Sequence, residues 1–153
     1  MHQYYATISW NRGEQRFTDN RYSRAHEWQF DGGAVVPASS SELNVPLPMS
    51  VAANVDPEEA LVASASSCHM LFFLSYAATR GFLVDSYRDA AYGVMEKNGE
   101  GKIAFTRIVL RPQIVFGGER QPGAEELETL HHESHASCFI ANSLKADVIV
   151  EPA

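Results

Sequence analysis

The sequence predicts an α+β fold, antiparallel sheet with segregated helices, on three observations. Alternating, β-branched and aromatic runs open the chain, recur in its middle and close it. One long, nearly all-apolar helix interrupts them after residue 56. A second helical stretch precedes the last short strand. No repeat or low-complexity segment breaks this order, and 153 residues suffice for a single domain over residues 1–153 with a core of its own.

The elements follow in order. YYATISW (4–10) alternates as a strand does, and NRGEQRFTDNR (11–21) is a polar loop. RAHEWQF (24–30) alternates again, placing Arg24, His26, Trp28 and Phe30 on one face. Asp31-Gly32-Gly33 is a turn, AVVPASSS (34–41) the returning strand, and residues 42–56, with Pro46 and Pro48, a loop. Asp56-Pro57-Glu58-Glu59 starts a helix: an N-cap, a proline at the first position, acids in the first turn. It runs to about Arg80 and stops at Gly81. Residues 84–98 read as one strand, 102–116 as a second, 124–144 as a helix or pair of helices, and 146–152 as a last strand.

Composition narrows the function. With 45% hydrophobic and 20% charged residues the chain is ordinary globular protein, and a net charge of −7 without a basic run speaks against nucleic acid or an anionic membrane as partner. The N-terminus lacks a secretory pattern, so a cytoplasmic protein is expected. The apolar run at 60–78 is interrupted by Ser64, Ser66, Ser67, His69 and Ser75, which is expected to keep it short of a membrane span. Such a helix must be covered on all sides, and a chain this small covers it best as a homodimer.

Four groups of residues could carry chemistry. Cys68 is either a small apolar residue in the core or a thiolate nucleophile, which needs a cation or donor to lower its pKa. His69 projects about 100° away from it on a helix, and Ser64, Ala65, Leu71 and Phe72, its helical neighbours, include no base. Cys138, seventy positions later, is either a second free thiol or half of a transient disulfide. On a helix His131, His135 and Cys138 share a face, a spacing open to zinc, although three ligands from one helix rarely close a site; His132 points away to the surface. Arg24 beside His26 is an edge ion pair or a cation aimed at a thiolate or substrate oxygen. Glu58 and Glu59 are at the least partners of the helix dipole.

Taken in order, YSRAHEWQFDGG, VDPEEALVASASSCHM, HHESHASCFIANS and KADVIVEP resemble the OsmC/Ohr family over nearly the whole chain. The resemblance implies an intertwined homodimer in which antiparallel sheets wrap two long central helices. It also implies a thiol peroxidase without a cofactor or bound metal. Cys68 would attack an organic or hydrogen peroxide and become a sulfenic acid. Cys138 would condense with it to a disulfide, reduced in turn by an external dithiol. Glu58 matches the family's glutamate after the helix-start proline, and Arg24 its arginine, with Arg21 the alternative. The arginine would steady the thiolate and the leaving oxygen, and the glutamate the arginine. Apolar walls such as Leu71, Phe72 and Phe73 favour an organic hydroperoxide. The chain departs from the family in Phe139, where a proline commonly follows the second cysteine, and in His69, where an apolar residue is usual. Two rival readings go with these: a non-enzymatic OsmC-like protein that binds a small apolar ligand or senses redox state, and a metal binder using His131, His135 and Cys138. Glu58 precedes Cys68 by ten residues, roughly 15 Å along a straight helix, so either the helix breaks near Ser64–Ser67 or Glu58 serves the partner's site, and the second is expected.

Overall fold

The computed structural model describes residues 1–151; Pro152, placed above in the last strand, lies outside them. By its contacts the chain forms two compact units, one over residues 1–60 and one from residue 61 onward.

The first unit is an antiparallel sheet of β1 (Ala6–Ser9), β2 (His26–Phe30) and β3 (Val35–Ala38), with β2 in the middle and Trp28 opposite both Ile8 and Val36. The Asp31-Gly32-Gly33 turn closes by Phe30 N–H to Ala34 O at 2.9 Å, and Gly33 takes φ +95°, which a side chain would resist. The strand starts two residues later than the alternation suggests. The Arg24 N–H donates to Met49 O at 2.7 Å, so Arg24 belongs to the loop that precedes β2.

Helix α1 (Pro57–Thr79) starts as its sequence dictates. Glu59 N–H donates to Asp56 Oδ1 at 2.8 Å and Asp56 N–H to Glu59 Oε1 at 2.9 Å, a reciprocal cap. It stops at Gly81, whose φ of +79° turns the chain so that Phe82 N–H reaches Ala77 O at 3.0 Å. Between these ends the helix is unbroken, so of the two alternatives for Glu58 the break near Ser64–Ser67, which was not the expected one, does not occur. Its 23 residues are also long and apolar enough to cross a membrane by length and composition, which corrects the expectation that serines and His69 would disqualify it. Its packing is that of a core helix. Ala65, His69, Phe73 and Ala77 form a buried stripe at a spacing of four, and the Ser66 hydroxyl donates to Asp89 at 2.5 Å.

The second unit holds two sheets. The stretch 84–98 is two strands, β4 (Leu83–Asp89) and β5 (Tyr92–Lys97), and 102–116 is likewise two, β6 (Ile103–Leu110) and β7 (Pro112–Gly117). β4 pairs with β7 antiparallel; β5 pairs with β6 antiparallel, and β6 with β8 (Asp147–Val150) parallel. Both long runs therefore change sheet at the same corner. Pro112 has no N–H to carry the ladder on. Asp89 accepts the Arg111 N–H at 2.7 Å, and the Arg111 guanidinium donates to Ala90 O at 2.7 and 2.9 Å. Gly93 in β5 is required, since a Cβ there would run into the Phe105 ring and Val62. Helix α2 (Ala124–Ser137) and the single turn α3 (Phe139–Asn142) are separated by Cys138.

Two apolar clusters result. Ala65 packs with Ile108, Leu110 and Val148; Phe73 and Ala77 pack with Phe82 and Leu130. His69 falls between them on the buried stripe of α1.

Candidate functional site

Cys68 sits at mid-helix in α1, partly accessible, while Cys138 is fully buried; both are free thiols. Cys138 adopts φ −65° and ψ 109°, an extended conformation that ends α2 and starts α3. Its backbone N–H reaches His135 O at 3.3 Å, and its sulfur accepts the Ala141 N–H at 3.4 Å. The two thiols are neighbours. Burial is the main cause that pushes the Cys138 thiol up from its ordinary pKa; Cys68 beside it adds to the rise, against the Ala141 and Ile140 amides that favour the thiolate. At neutral pH Cys138 therefore stays protonated, a poor first nucleophile but able to attack an electrophilic sulfur placed against it.

Sequence reasoning left His69 without a role and offered His131 only to a metal. The structure joins them. His69 Nε2 and His131 Nδ1 are 3.1 Å apart, and the rings stack at 5.4 Å between centroids and 11° between planes. The Phe73 ring lies 4.6 Å from the His131 ring. Burial, with the nearby His131 and His135, lowers the His69 pKa to about 4, and burial lowers that of His131 against the pull of the Asp89 carboxylate. His69 Nδ1, His131 Nε2, His135 Nδ1 and the Tyr87 hydroxyl are buried without a hydrogen-bond partner among the described residues. A histidine on the apolar stripe of a helix was the one available sequence signal for this pair.

The helix face expected to offer His131, His135 and Cys138 to a metal is not formed as such. α2 ends at Ser137, His131 turns to His69, and Cys138 sits in the bend. Among the described residues no three His, Cys, Asp or Glu side chains converge in a way that could hold a metal ion. His132 is exposed, as expected.

In the first unit the Arg24 guanidinium donates to Asn20 O at 3.1 Å, to Asn20 Oδ1 at 2.9 Å and to Tyr22 O, and lies 3.8 Å over the Tyr22 ring. Arg24, with Trp10, Phe17, Tyr22, His26 and Ser40, lines an open, mostly apolar cavity of about 490 Å³. Arg21 is exposed, its N–H bonded to Asp19 Oδ1 at 3.1 Å. Glu58 accepts from the Asn44 amide at 3.1 Å through Oε1, and its Oε2 is buried without a partner among the described residues.

A two-thiol α+β protein, with one sulfur on a long apolar helix and its neighbour in a helix break, is the class that this geometry defines. The chain belongs to the OsmC-like protein family, whose model matches residues 51–152. Over the full length of both chains it is 52% identical to an OsmC-like protein of unknown function from Vibrio cholerae, with a TM-score of 0.99. It shares its fold with an organic hydroperoxide resistance protein OsmC from Legionella pneumophila (12% identity, 99% and 96% of the two chains, TM-score 0.69). The same holds for the organic hydroperoxide resistance protein OhrB of Bacillus subtilis (15% identity, 99% and 98%, TM-score 0.63). Among curated proteins none matches the chain.

Proposed function

We propose that the protein is a thiol-dependent peroxidase that reduces organic hydroperoxides, or hydrogen peroxide, through Cys68 and Cys138. The observation that carries this reading is the pairing of an accessible Cys68 with a buried, protonated Cys138 across two elements seventy residues apart in sequence. The Cys68 thiolate attacks the distal peroxide oxygen, the O–O bond breaks, and the alkoxide leaves as the alcohol after taking a proton. The resulting sulfenic acid condenses with the Cys138 thiol, releasing water and forming the disulfide. An external dithiol then reduces the disulfide and is itself oxidised. In this reading the protein works in the cytoplasm, where such reductants are at hand.

In this reading Arg24 steadies the thiolate and the departing oxygen and Glu58 orients Arg24, with Arg21 the alternative arginine. α1 is unbroken, and Glu58 precedes Cys68 by ten residues, roughly 15 Å along the axis; the glutamate therefore serves the thiol of a second protomer. A homodimer is supported by the apolar side chains left exposed around the thiols, Leu71 at 61% and Phe139 at 70%.

Intact mass and free-thiol count, before and after one equivalent of an organic hydroperoxide, test the reading. Loss of both thiols with a two-hydrogen decrease in mass is expected. Two unreacted thiols in folded protein under excess peroxide would overturn it. The aromatic cavity beside Arg24 favours a second reading, a protein that holds a small apolar ligand; a ligand retained through purification, without turnover of peroxide, would select it.

A further inference from the structure

We propose that His69 and His131 form a proton-operated latch that holds α2 against α1 and so keeps Cys138 within reach of Cys68. The latch rests on the Cys68–Cys138 disulfide of the reaction proposed above, but makes a claim about the fold that peroxide chemistry does not require.

Three side-chain bonds tie α1 to α2 among the described residues: His69 to His131, Tyr76 to Ser137 at 2.6 Å, and Arg80 to Glu133. The Arg80–Glu133 pair is more than a third exposed, whereas both imidazoles are buried. The buried bond is made one residue after Cys68 on α1 and seven before Cys138, two turns along α2.

Its response to protons follows from counting them. Two neutral imidazoles share one N–H between Nε2 of His69 and Nδ1 of His131. A first proton leaves that bond in place, since one nitrogen still accepts, and the Asp89 carboxylate draws it to His131. A second sets N–H against N–H and two positive rings face to face at 5.4 Å, which breaks the contact. The titratable groups that act on the pair are His135 from α2 and Asp89 from β4, while Tyr87 of β4 packs on the Phe73 ring that covers His131. Asp89 already accepts from Ser66 and from the Arg111 N–H, and it does not reverse the lowering of either imidazole. The orphaned nitrogens of both rings mark a site where neither proton finds a new partner.

With His69 near pKa 4 when the latch is shut and near 6.5 when it is open, the shut form weakens roughly twentyfold between pH 7 and pH 5. The test equilibrates the full chain with oxidised and reduced dithiothreitol at both pH values and counts free thiols by mass. Protonated thiols on both sides of this exchange take up no net proton, and an ionised Cys68 would raise the disulfide fraction on acidification. The expected result is the opposite: a disulfide-to-dithiol ratio that falls by up to roughly twentyfold in the native chain. In the His69→Phe/His131→Phe variant, which keeps two stacked rings, it stays within about twofold. A flat or rising ratio in the native chain, or an equal fall in the variant, overturns the latch. Should the variant not fold, the ring proton resonances of His69 and His131 followed with pH decide: their titration must coincide with the fall. Because dithiothreitol replaces peroxide, the latch stands if only peroxide fails to oxidise the thiols, and falls alone if peroxide works without a pH step.

Discussion

The two apolar clusters on α1 differ in what borders them. The first, around Ala65, Ile108 and Leu110, is apolar side chain packed on the β5–β6–β8 sheet. The second, around Phe73, Phe82 and Leu130, meets the β4–β7 pair and α2, and its Phe73 ring touches a buried imidazole. Between them, within one turn of the helix, lie Cys68 and His69. The first cluster is apolar throughout; the second borders the buried His69–His131 pair. An interior that is entirely apolar gains stability, while one that admits His69 and His131 leaves nitrogens unsatisfied and becomes sensitive to pH.

The largest effect that separates the two regions comes from the sulfurs. On the proposed mechanism, Cys68→Ser removes the nucleophile and should abolish peroxide consumption. Cys138→Ser should still consume one equivalent of peroxide and leave a sulfenic acid that a dimedone-type trap captures. Trapping in both variants, or in neither, would deny the assigned order of attack.

Truncation inside each cluster comes next. Phe73→Ala should cost about 3–5 kcal/mol and Leu110→Ala about 2–5 kcal/mol in urea unfolding, both side chains being fully buried. The comparison sharpens in the pH profile. Removing Phe73 strips one wall from His131 and should weaken the acid sensitivity of the thiol pair, whereas Leu110→Ala lowers stability and leaves that sensitivity intact.

Acid itself supplies a third, smaller effect. The folded pKa of His69 lies below its ordinary 6.5, so the unfolded chain binds more protons as the pH falls. The contribution of this histidine is complete above pH 6.5 and is lost as the pH drops from there through about 4. Urea midpoints measured across that window should fall in the native chain and fall less in His69→Phe. An equal slope in both would place the acid response elsewhere.

Much of this was legible beforehand, wherever the signal is local. Asp56, Pro57 and Glu59 fixed the start of α1, Gly81 its end, and Asp31-Gly32-Gly33 the first hairpin, because caps and turns are decided by a few neighbouring residues. The sheet change at Asp89–Arg111 was not legible: each long alternating run reads as one strand, and the corner is made by a contact between residues more than twenty apart. The parallel pairing of β8 with β6 is hidden for the same reason. At the site, the family resemblance named Cys68 and Cys138, while spacing offered His131 to a metal. Spacing along one helix cannot register a partner on another, and His69 is that partner.

The smallest effect tests whether the surface tie between the helices matters at all. Arg80 and Glu133 form an ion pair whose side chains are 37% and 40% exposed, so solvent screens it and two long side chains must be ordered to keep it. Arg80→Ala should cost no more than about 0.2–1 kcal/mol, and less in 1 M salt. Tyr76→Phe, which removes the hydroxyl bonded to Ser137 at 2.6 Å in a half-buried setting, should cost about 0.5–1.5 kcal/mol and show no such salt dependence. If α2 is held on α1 chiefly by its buried contacts, neither substitution alters the Cys68–Cys138 disulfide equilibrium by more than about twofold at pH 7, a change of roughly 0.4 kcal/mol. A larger shift from Arg80→Ala would mean that the exposed end of the helix pair, and not the imidazoles at its centre, sets the distance between the thiols.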